Sequence, residues 1–168
     1  MPTSIYTRLE DAVRNVALVS NKNHTSTPII FSHQPGAEPA TSYVVINILS
    51  VEQQGKAATP ALLNRSSKLD IRVMYNTLIQ FSFYGDDAGA IAHDFYHLFN
   101  SPETLESMSK NSVALLSKTR LRRNPQRRDT RWVESFNFDA TFNYIINTPI
   151  TGVSVASDGI TVANTFSG

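Results

Sequence analysis

One long alternating strand constrains the fold of this chain more than any other feature. Over residues 69–83, apolar side chains fill most odd positions and polar side chains several even ones, which predicts a β-strand with one buried face. A strand of about 15 residues exceeds the usual length of roughly 5 to 6, so it must bend or reach beyond its own domain. Its odd positions hold Ile71, Val73, Tyr75, Thr77, Ile79, Phe81 and Phe83.

A turn and an amphipathic helix follow this strand. Gly85 interrupts the strand, and Asp86 or Asp87 can accept hydrogen bonds from the first amides of the next helix. Between Ala88 and Phe99, apolar residues recur at intervals of three and four, which predicts one apolar stripe. We expect this stripe to pack on the apolar face of the strand.

A second long amphipathic strand is predicted over residues 132–146. Its even positions are mostly aromatic or aliphatic, beginning with Trp132, and its odd positions are mostly polar. Antiparallel pairing of the two long strands would stack Phe81 and Phe83 against Phe136, Phe138 and their neighbours beneath the helices. The sequence therefore predicts an α+β fold, with an antiparallel, bent sheet of long strands and helices packed on one face.

The remaining predicted elements are shorter. Ser101 followed by Pro102 is typical of a helix start. Asp158-Gly159 between two alternating runs predicts a C-terminal hairpin over residues 150–164. Further helices are predicted at 4–20 and 101–110. Further strands are predicted at 28–32, 43–51 and 112–117.

The length of 168 residues predicts a single domain, 1–168. Within it, residues 52–68 lose any hydrophobic pattern and are predicted as a long loop or arm. A connection of that length in a compact domain is uncommon without a function of its own, so we expect it to contact a neighbouring molecule.

Several classes of protein are excluded by composition. The chain has no cysteine, which rules out a disulfide framework and thiolate metal sites. Charged residues such as Arg8 and Glu10 stand where a signal peptide needs an apolar core, and no run of 18 apolar residues follows. We expect a soluble, unsecreted protein without a membrane partner. No phosphate-binding loop, dinucleotide fingerprint or serine elbow is present, so no enzyme and no cofactor are predicted.

Two histidines four residues apart, His93 and His97, lie on one helical face and could bind zinc. The zinc-protease pattern needs Glu after the first histidine, where this chain has Asp94. A third ligand would have to come from His24, His33 or Glu103. A solvated or interface face is the preferred interpretation, so no metal is predicted.

The basic segment, residues 118–131, concentrates the positive charge. It holds seven of the 15 bases and one of the 14 acids, so the rest of the chain, with eight bases and thirteen acids, has a net charge of −5. Asn124-Pro125 predicts a loop. Three interpretations remain open: an interface with an acidic neighbour such as a second copy of the chain, a contact with the DNA backbone, or a solvated loop. The candidate residues are Arg120, Arg122, Arg123, Arg127, Arg128 and Arg131.

The order of these parts resembles the tail terminator or neck terminator proteins of tailed bacteriophages. The resemblance rests on an N-terminal helix, the strand at 42–48, the strand-Gly-helix step at 78–88, the basic segment and the aromatic strand at 132–146. It implies an α+β subunit of a ring, typically a hexamer, without catalytic residues.

The resemblance also implies a place for the ring. Such a ring caps the finished tail tube and joins it to the head connector of the virion, with tube and sheath proteins as partners and DNA passing through the lumen without sequence-specific binding. Assembly takes place in the host cytoplasm. The alternative is an accessory protein that binds the DNA backbone through the basic segment.

Overall fold

The computed structural model describes residues 4–55, 59–63, 69–128 and 130–149. The hairpin predicted at 150–164 lies outside the described residues. The helices and strands confirm the predicted α+β class. The helices are α1 (Ile5–Ser20), α2 (Ala88–Leu98) and α3 (Pro102–Lys110), with a short 3-10 helix at Lys22–His24. The strands are β1 (Ile29–Phe31), β2 (Tyr43–Gln53), β3 (Thr59–Leu63), β4 (Leu69–Tyr84), β5 (Val113–Lys118), β6 (Arg122–Arg123), β7 (Gln126–Arg128), β8 (Arg131–Val133) and β9 (Ser135–Pro149).

The main sheet is mixed rather than purely antiparallel. Its strand order is β1-β2-β4-β9-β5, with β3 also pairing with β4 and β6 with β9. The predicted antiparallel sheet is wrong at β1, which pairs with β2 in parallel, with Ile30 opposite Val45. The reason is that the loop between β1 and β2, which contains Pro35 and Pro39, carries the chain back to the end where β1 began.

The two long strands, β4 and β9, pair as predicted. Thr77 Oγ1 donates to the carbonyl oxygen of Phe142 at 3.4 Å, and the Gln80 amide nitrogen donates to Asp139 at 3.1 Å. Farther along, the Phe81 and Phe138 rings stack with centroids 5.2 Å apart. Residue numbers rise along one strand while they fall along the other, so the pair is antiparallel.

The core is a layer of phenylalanine rings between this strand pair and α2. Phe95 of α2 lies 5.4 Å from Phe81 and 5.2 Å from Phe83, measured between ring centroids. Phe99, just after α2, lies 5.6 Å from Phe138. All of these rings are fully buried, which confirms that the apolar stripe packs on the apolar face of the strand.

The helices pack on one face of the sheet, and within the described residues none of them lines the other face at β1 and β2. Arg14 of α1 lies over the ring of Phe31, 5.0 Å from its centroid, and Phe31 is in register with Ile46 of β2. Side chains alternate along a strand, so Tyr43 and Val45 point to the opposite face. That second face carries the pocket described below.

The start of α2 depends on a contact that sequence analysis missed. Ser101 caps α3 as predicted, accepting a hydrogen bond from the Thr104 amide at 3.3 Å. The predicted carboxylate cap of α2 is wrong, because the Asp87 side chain makes no capping bond and the Asp87 amide instead donates to Ser42 Oγ at 3.0 Å. Ser42 reaches this amide because the backbone at Gly85 passes very close to it.

Gly85 is required at this position on two grounds. Its φ of 109° lies in a region that side chains disfavour. A Cβ there would also lie 2.5 Å from Ser42 Oγ and 2.6 Å from Ser42 Cα. The strand-Gly-helix step is therefore fixed by both backbone conformation and packing.

The chain divides into two compact units. The first contains residues 4–51 and 76–144, with the three helices and the aromatic core. The second contains the described residues of Glu52–Tyr75 and Ile145–Gly168. In it, β3 pairs antiparallel with β4, with Thr59 opposite Arg72. A strand therefore lies within the segment that the sequence predicts as a long loop or arm.

Replacing Phe81 by alanine should destabilise the protein strongly. Phe81 is fully buried and touches three other phenylalanine rings of the core, Phe95, Phe99 and Phe138. We expect the free energy of unfolding, measured by urea titration, to fall by about 3 to 5 kcal/mol. The control Leu18→Ala, at a residue that is 55% exposed, should change it by less than about 0.5 kcal/mol. Equal effects of the two substitutions would contradict this core.

Candidate interaction surface

Much of the basic segment forms short β-strands, although the sequence predicts a loop there. Arg122 and Arg123 form β6 and pair with Asn137 and Phe136 of β9. The strands β7 and β8 then form a hairpin of their own. At its base, the Asn124 amide donates to the Ser135 carbonyl at 2.8 Å, and the Ser135 hydroxyl donates to the Asn124 carbonyl. Backbone pairing therefore holds the candidate arginines on a defined surface.

Two of the six candidate arginines are paired with acids of the same chain. Arg122 donates to the Asp139 carboxylate at 2.6 Å and to the Asn137 side chain at 3.2 Å. Arg123 forms a two-point contact with the Glu134 carboxylate, one of its bonds being 3.0 Å long. Each of these two arginines therefore has an acidic partner within the chain, which reduces the charge it can offer to phosphates.

Three of the other candidate arginines are exposed on the surface. Arg120, Arg127 and Arg131 are exposed. In the part of the chain that the structure describes, no carboxylate lies within ion-pair distance of these three. Arg128 belongs to β7, and its side chain lies outside the described part. The available positive charge is therefore concentrated on the hairpin and on the residues before β6.

Lys118, at the start of the basic segment, does not belong to this exposed set. Its ammonium donates to the Tyr96 carbonyl at 2.8 Å and lies 3.8 Å from the centroid of the Tyr96 ring. Burial lowers the pKa of Lys118. Its role is to hold β5 against α2.

The hairpin also exposes Trp132, which sequence analysis placed on the buried face of a long strand. The side chain is 72% exposed and lies opposite Arg127 in the hairpin register. The prediction is wrong because the strand breaks at Glu134, between β8 and β9. The Glu134 carbonyl oxygen accepts a hydrogen bond from the Gly85 amide at 3.2 Å. The alternation of residue types continues through the break, so the sequence holds no signal of it.

A pocket of about 450 Å³ lies on the face of the sheet opposite the helices. The rings of Tyr43 and Tyr84 stack in its wall, with centroids 5.3 Å apart, and the Tyr43 hydroxyl donates to the Glu38 carboxylate. Its other lining residues are Ile30, Phe31, Ser32, Gln34, Pro35, Gly36, Ala37 and Val45. The lining comes from β1, β2, the end of β4 and the loop at 32–42, which sequence patterns do not bring together.

His93 and His97, the two histidines considered as zinc ligands, lie next to each other on α2. The Nε2 atoms of His93 and His97 lie 3.4 Å apart on the exposed side of α2. Across the described ranges, no group of three or more potential metal ligands occurs.

Each possible third metal ligand has another partner. His24 bonds to Asp94 at 2.9 Å, a contact that lowers the pKa of the Asp94 carboxyl group. His33 lies 3.3 Å from Glu10, and Glu103 pairs with Lys22.

The described surface thus presents a basic hairpin with an exposed tryptophan, and a pocket walled by two tyrosine rings. No helix in the described residues is long and apolar enough to cross a membrane. The sequence matches the family of phage neck terminator proteins over residues 3–166, and the chain belongs to this family. The resemblance found in the sequence is confirmed.

The chain can also be compared with curated proteins and with solved structures. No curated protein matches the chain. Among solved structures, the chain is similar to the sheath/tube terminator, in the extended state, of PVC, an extracellular contractile injection system. The two are 14% identical with a TM-score of 0.46, and the match covers 99% of this chain and 66% of that one.

The ion pair at the base of the hairpin can be tested by titration. The hydrogen bond and charge of Arg123 lower the pKa of Glu134, and Glu134 in turn raises the pKa of Arg123. A lowered carboxyl pKa means that the pair contributes stability above the ordinary pKa of Glu and loses it as the pH falls through the lowered value. Arg123→Ala should return the pKa of Glu134, followed by NMR, towards its ordinary value. The exposed control Arg127→Ala should leave it unchanged, and an equal shift in both variants would contradict the pairing.

Proposed function

We propose that this chain is a subunit of a ring that caps the finished tail tube of a phage and joins it to the head connector. The observation that carries the proposal is the family match, which extends over residues 3–166. The described surface agrees with such a role, because it exposes Trp132 together with Arg127 and Arg131. The protein is a virion component that assembles in the host cytoplasm and acts without a cofactor.

The ring is a homo-oligomer, a hexamer, built from head-to-tail contacts. In such a contact, two different surfaces of the same chain meet, and the ring closes if the rotation between neighbours closes. The segregated charge supports this arrangement, since a basic segment on an otherwise acidic chain complements another copy of itself. The second unit, with β3 paired on β4, provides a further contact with neighbouring subunits.

The ring meets tube and sheath proteins on one side and the head connector on the other. DNA passes through its lumen without sequence-specific binding. The pairing of Arg122 with Asp139 and of Arg123 with Glu134 supports this, because two of the six candidate arginines are already neutralised by the chain itself. In this proposal the basic segment contacts a protein, and contact with the DNA backbone is the alternative function.

The proposal predicts rings at tail ends. Purified protein, mixed with tail tubes made without it, should appear by negative-stain microscopy as a ring of six copies at one end of each tube. The matched control is an equal amount of the Phe81→Ala variant, whose core is disrupted.

Two results would contradict the proposal. One is a protein that stays monomeric and never attaches to tubes. The other is a protein that binds duplex DNA with an affinity that falls steeply with salt and is abolished by alanine at Arg120, Arg127 and Arg131, which would favour the accessory DNA-binding function.

A further inference from the structure

We propose that His93 and His97 form a two-point binding site for a divalent ion of the zinc type on the exposed side of α2. The inference goes beyond the proposed ring and does not depend on it. It assigns a role to two neighbouring histidines that the proposed contacts with other proteins leave unused.

Helix α2 presents the two imidazole rings side by side on an ordered support. Residues four apart lie one turn apart on the same side of a helix, and both histidines are exposed. Phe95, between them in the sequence, is fully buried and packs on Phe81 in the aromatic core. The backbone under the pair is therefore fixed, so little conformational freedom is lost when both rings bind one ion.

The separation of the two rings matches the spacing of ligands around zinc. Their Nε2 atoms are 3.4 Å apart, whereas hydrogen bonds donated by N–H groups are about 2.7 to 3.2 Å long. Two nitrogens bonded to a tetrahedral zinc ion at about 2.0 to 2.1 Å would lie roughly 3.3 to 3.4 Å apart. The distance therefore fits a shared ion better than a hydrogen bond between the rings.

The two rings also converge at their Nε2 ends. The ring centroids are 4.4 Å apart, which is farther than the distance between the two Nε2 atoms. Each ring therefore leans its Nε2 atom towards the other ring, whereas rings stacked in parallel would keep the two distances equal. An ion bound beside these ends contacts both nitrogens at once.

The ligands decide which ions fit and how many positions the chain fills. Imidazole is a ligand that zinc, copper and nickel prefer, whereas magnesium and calcium prefer oxygen. The chain supplies two ligands, because His24, His33 and Glu103 have other partners within the described residues. Water fills the remaining positions around the ion in the isolated chain.

The surroundings of the pair favour a positive ion. His97 lies in the last turn of α2, where the carbonyl end of the helix carries a partial negative charge. Asp94, the next residue after His93, adds a carboxylate whose pKa is lowered by its hydrogen bond to His24. Both effects offset the charge of a bound cation.

An ion held by both histidines cross-links two successive turns of α2. It binds the folded helix more tightly than the unfolded chain, in which the two rings are not held together, so it stabilises the fold. The cross-linked turn precedes Phe99, whose ring packs on Phe138 in the core. The ion thus strengthens the end of the helix that covers the aromatic layer.

Calorimetric titration of the untagged protein with zinc chloride tests the site. We expect one ion per chain, and no binding of magnesium chloride. His93→Ala and His97→Ala should each lower the zinc affinity by about tenfold or more, since even residues that only support a metal ligand commonly contribute about 10- to 100-fold. The matched control His33→Ala removes an exposed histidine outside the pair and should leave the affinity unchanged.

Hydrogen–deuterium exchange and urea titration locate the bound ion. Zinc should slow the exchange of the amides in the last turn of α2 and raise the urea midpoint of the wild type. It should leave the urea midpoint of His93→Ala unchanged. Both histidines are exposed, so the variants should fold, and their urea midpoints without zinc measure this separately.

Three results would overturn the inference. One is a zinc affinity that is equal in the wild type and in His93→Ala, and another is a loss in His33→Ala as large as in the pair. The third is slower exchange spread over the chain instead of the end of α2, which marks an adventitious ion only. Attachment to tail tubes is measured with a chelator present, so failure of the zinc site and failure of the proposed ring are distinguished.

Discussion

The structure depends on one packed layer of phenylalanine rings between β4, β9 and α2. Phe81 lies at its centre, with Phe95 above it and Phe138 beside it on the neighbouring strand. Burial of these rings fixes the register of the two long strands, because a slip of one residue would turn every ring to the other face. The positions of the hairpin and of the pocket both follow from that register, since the hairpin precedes β9 and Tyr84 ends β4.

Sequence periodicity predicted the parts that this layer controls. The alternation of β4, the apolar stripe of α2, the antiparallel pairing with β9 and the Ser101 cap are confirmed, because each depends on residue types at regular spacing. The exposure of Trp132 was not predictable, since the strand breaks at Glu134, where the backbone bonds to Gly85 in a distant part of the chain. The Ser42 contact at the start of α2 and the assembly of the pocket from distant segments escaped prediction for the same reason.

The surfaces outside the core give the candidate arginines different roles. Arg122 and Arg123 bind acids of their own chain and stabilise the base of the hairpin, although exposed ion pairs contribute little to the free energy of unfolding. Arg127 and Arg131 surround the exposed Trp132 and are available to a partner. A basic segment that looked uniform in the sequence thus separates into a structural part and an outward-facing part.

Hydrogen–deuterium exchange, compared between the isolated protein and the protein bound to tail tubes, tests the central claim most directly. A rigid aromatic layer that carries separate assembly surfaces predicts slow exchange of the β4 and β9 amides beneath α2 in both states. The amides of β7 and β8 should exchange more slowly in the bound state than in the isolated protein. Fast exchange in β4 and β9 of the isolated protein, or a hairpin whose exchange does not slow on the tubes, would contradict the account.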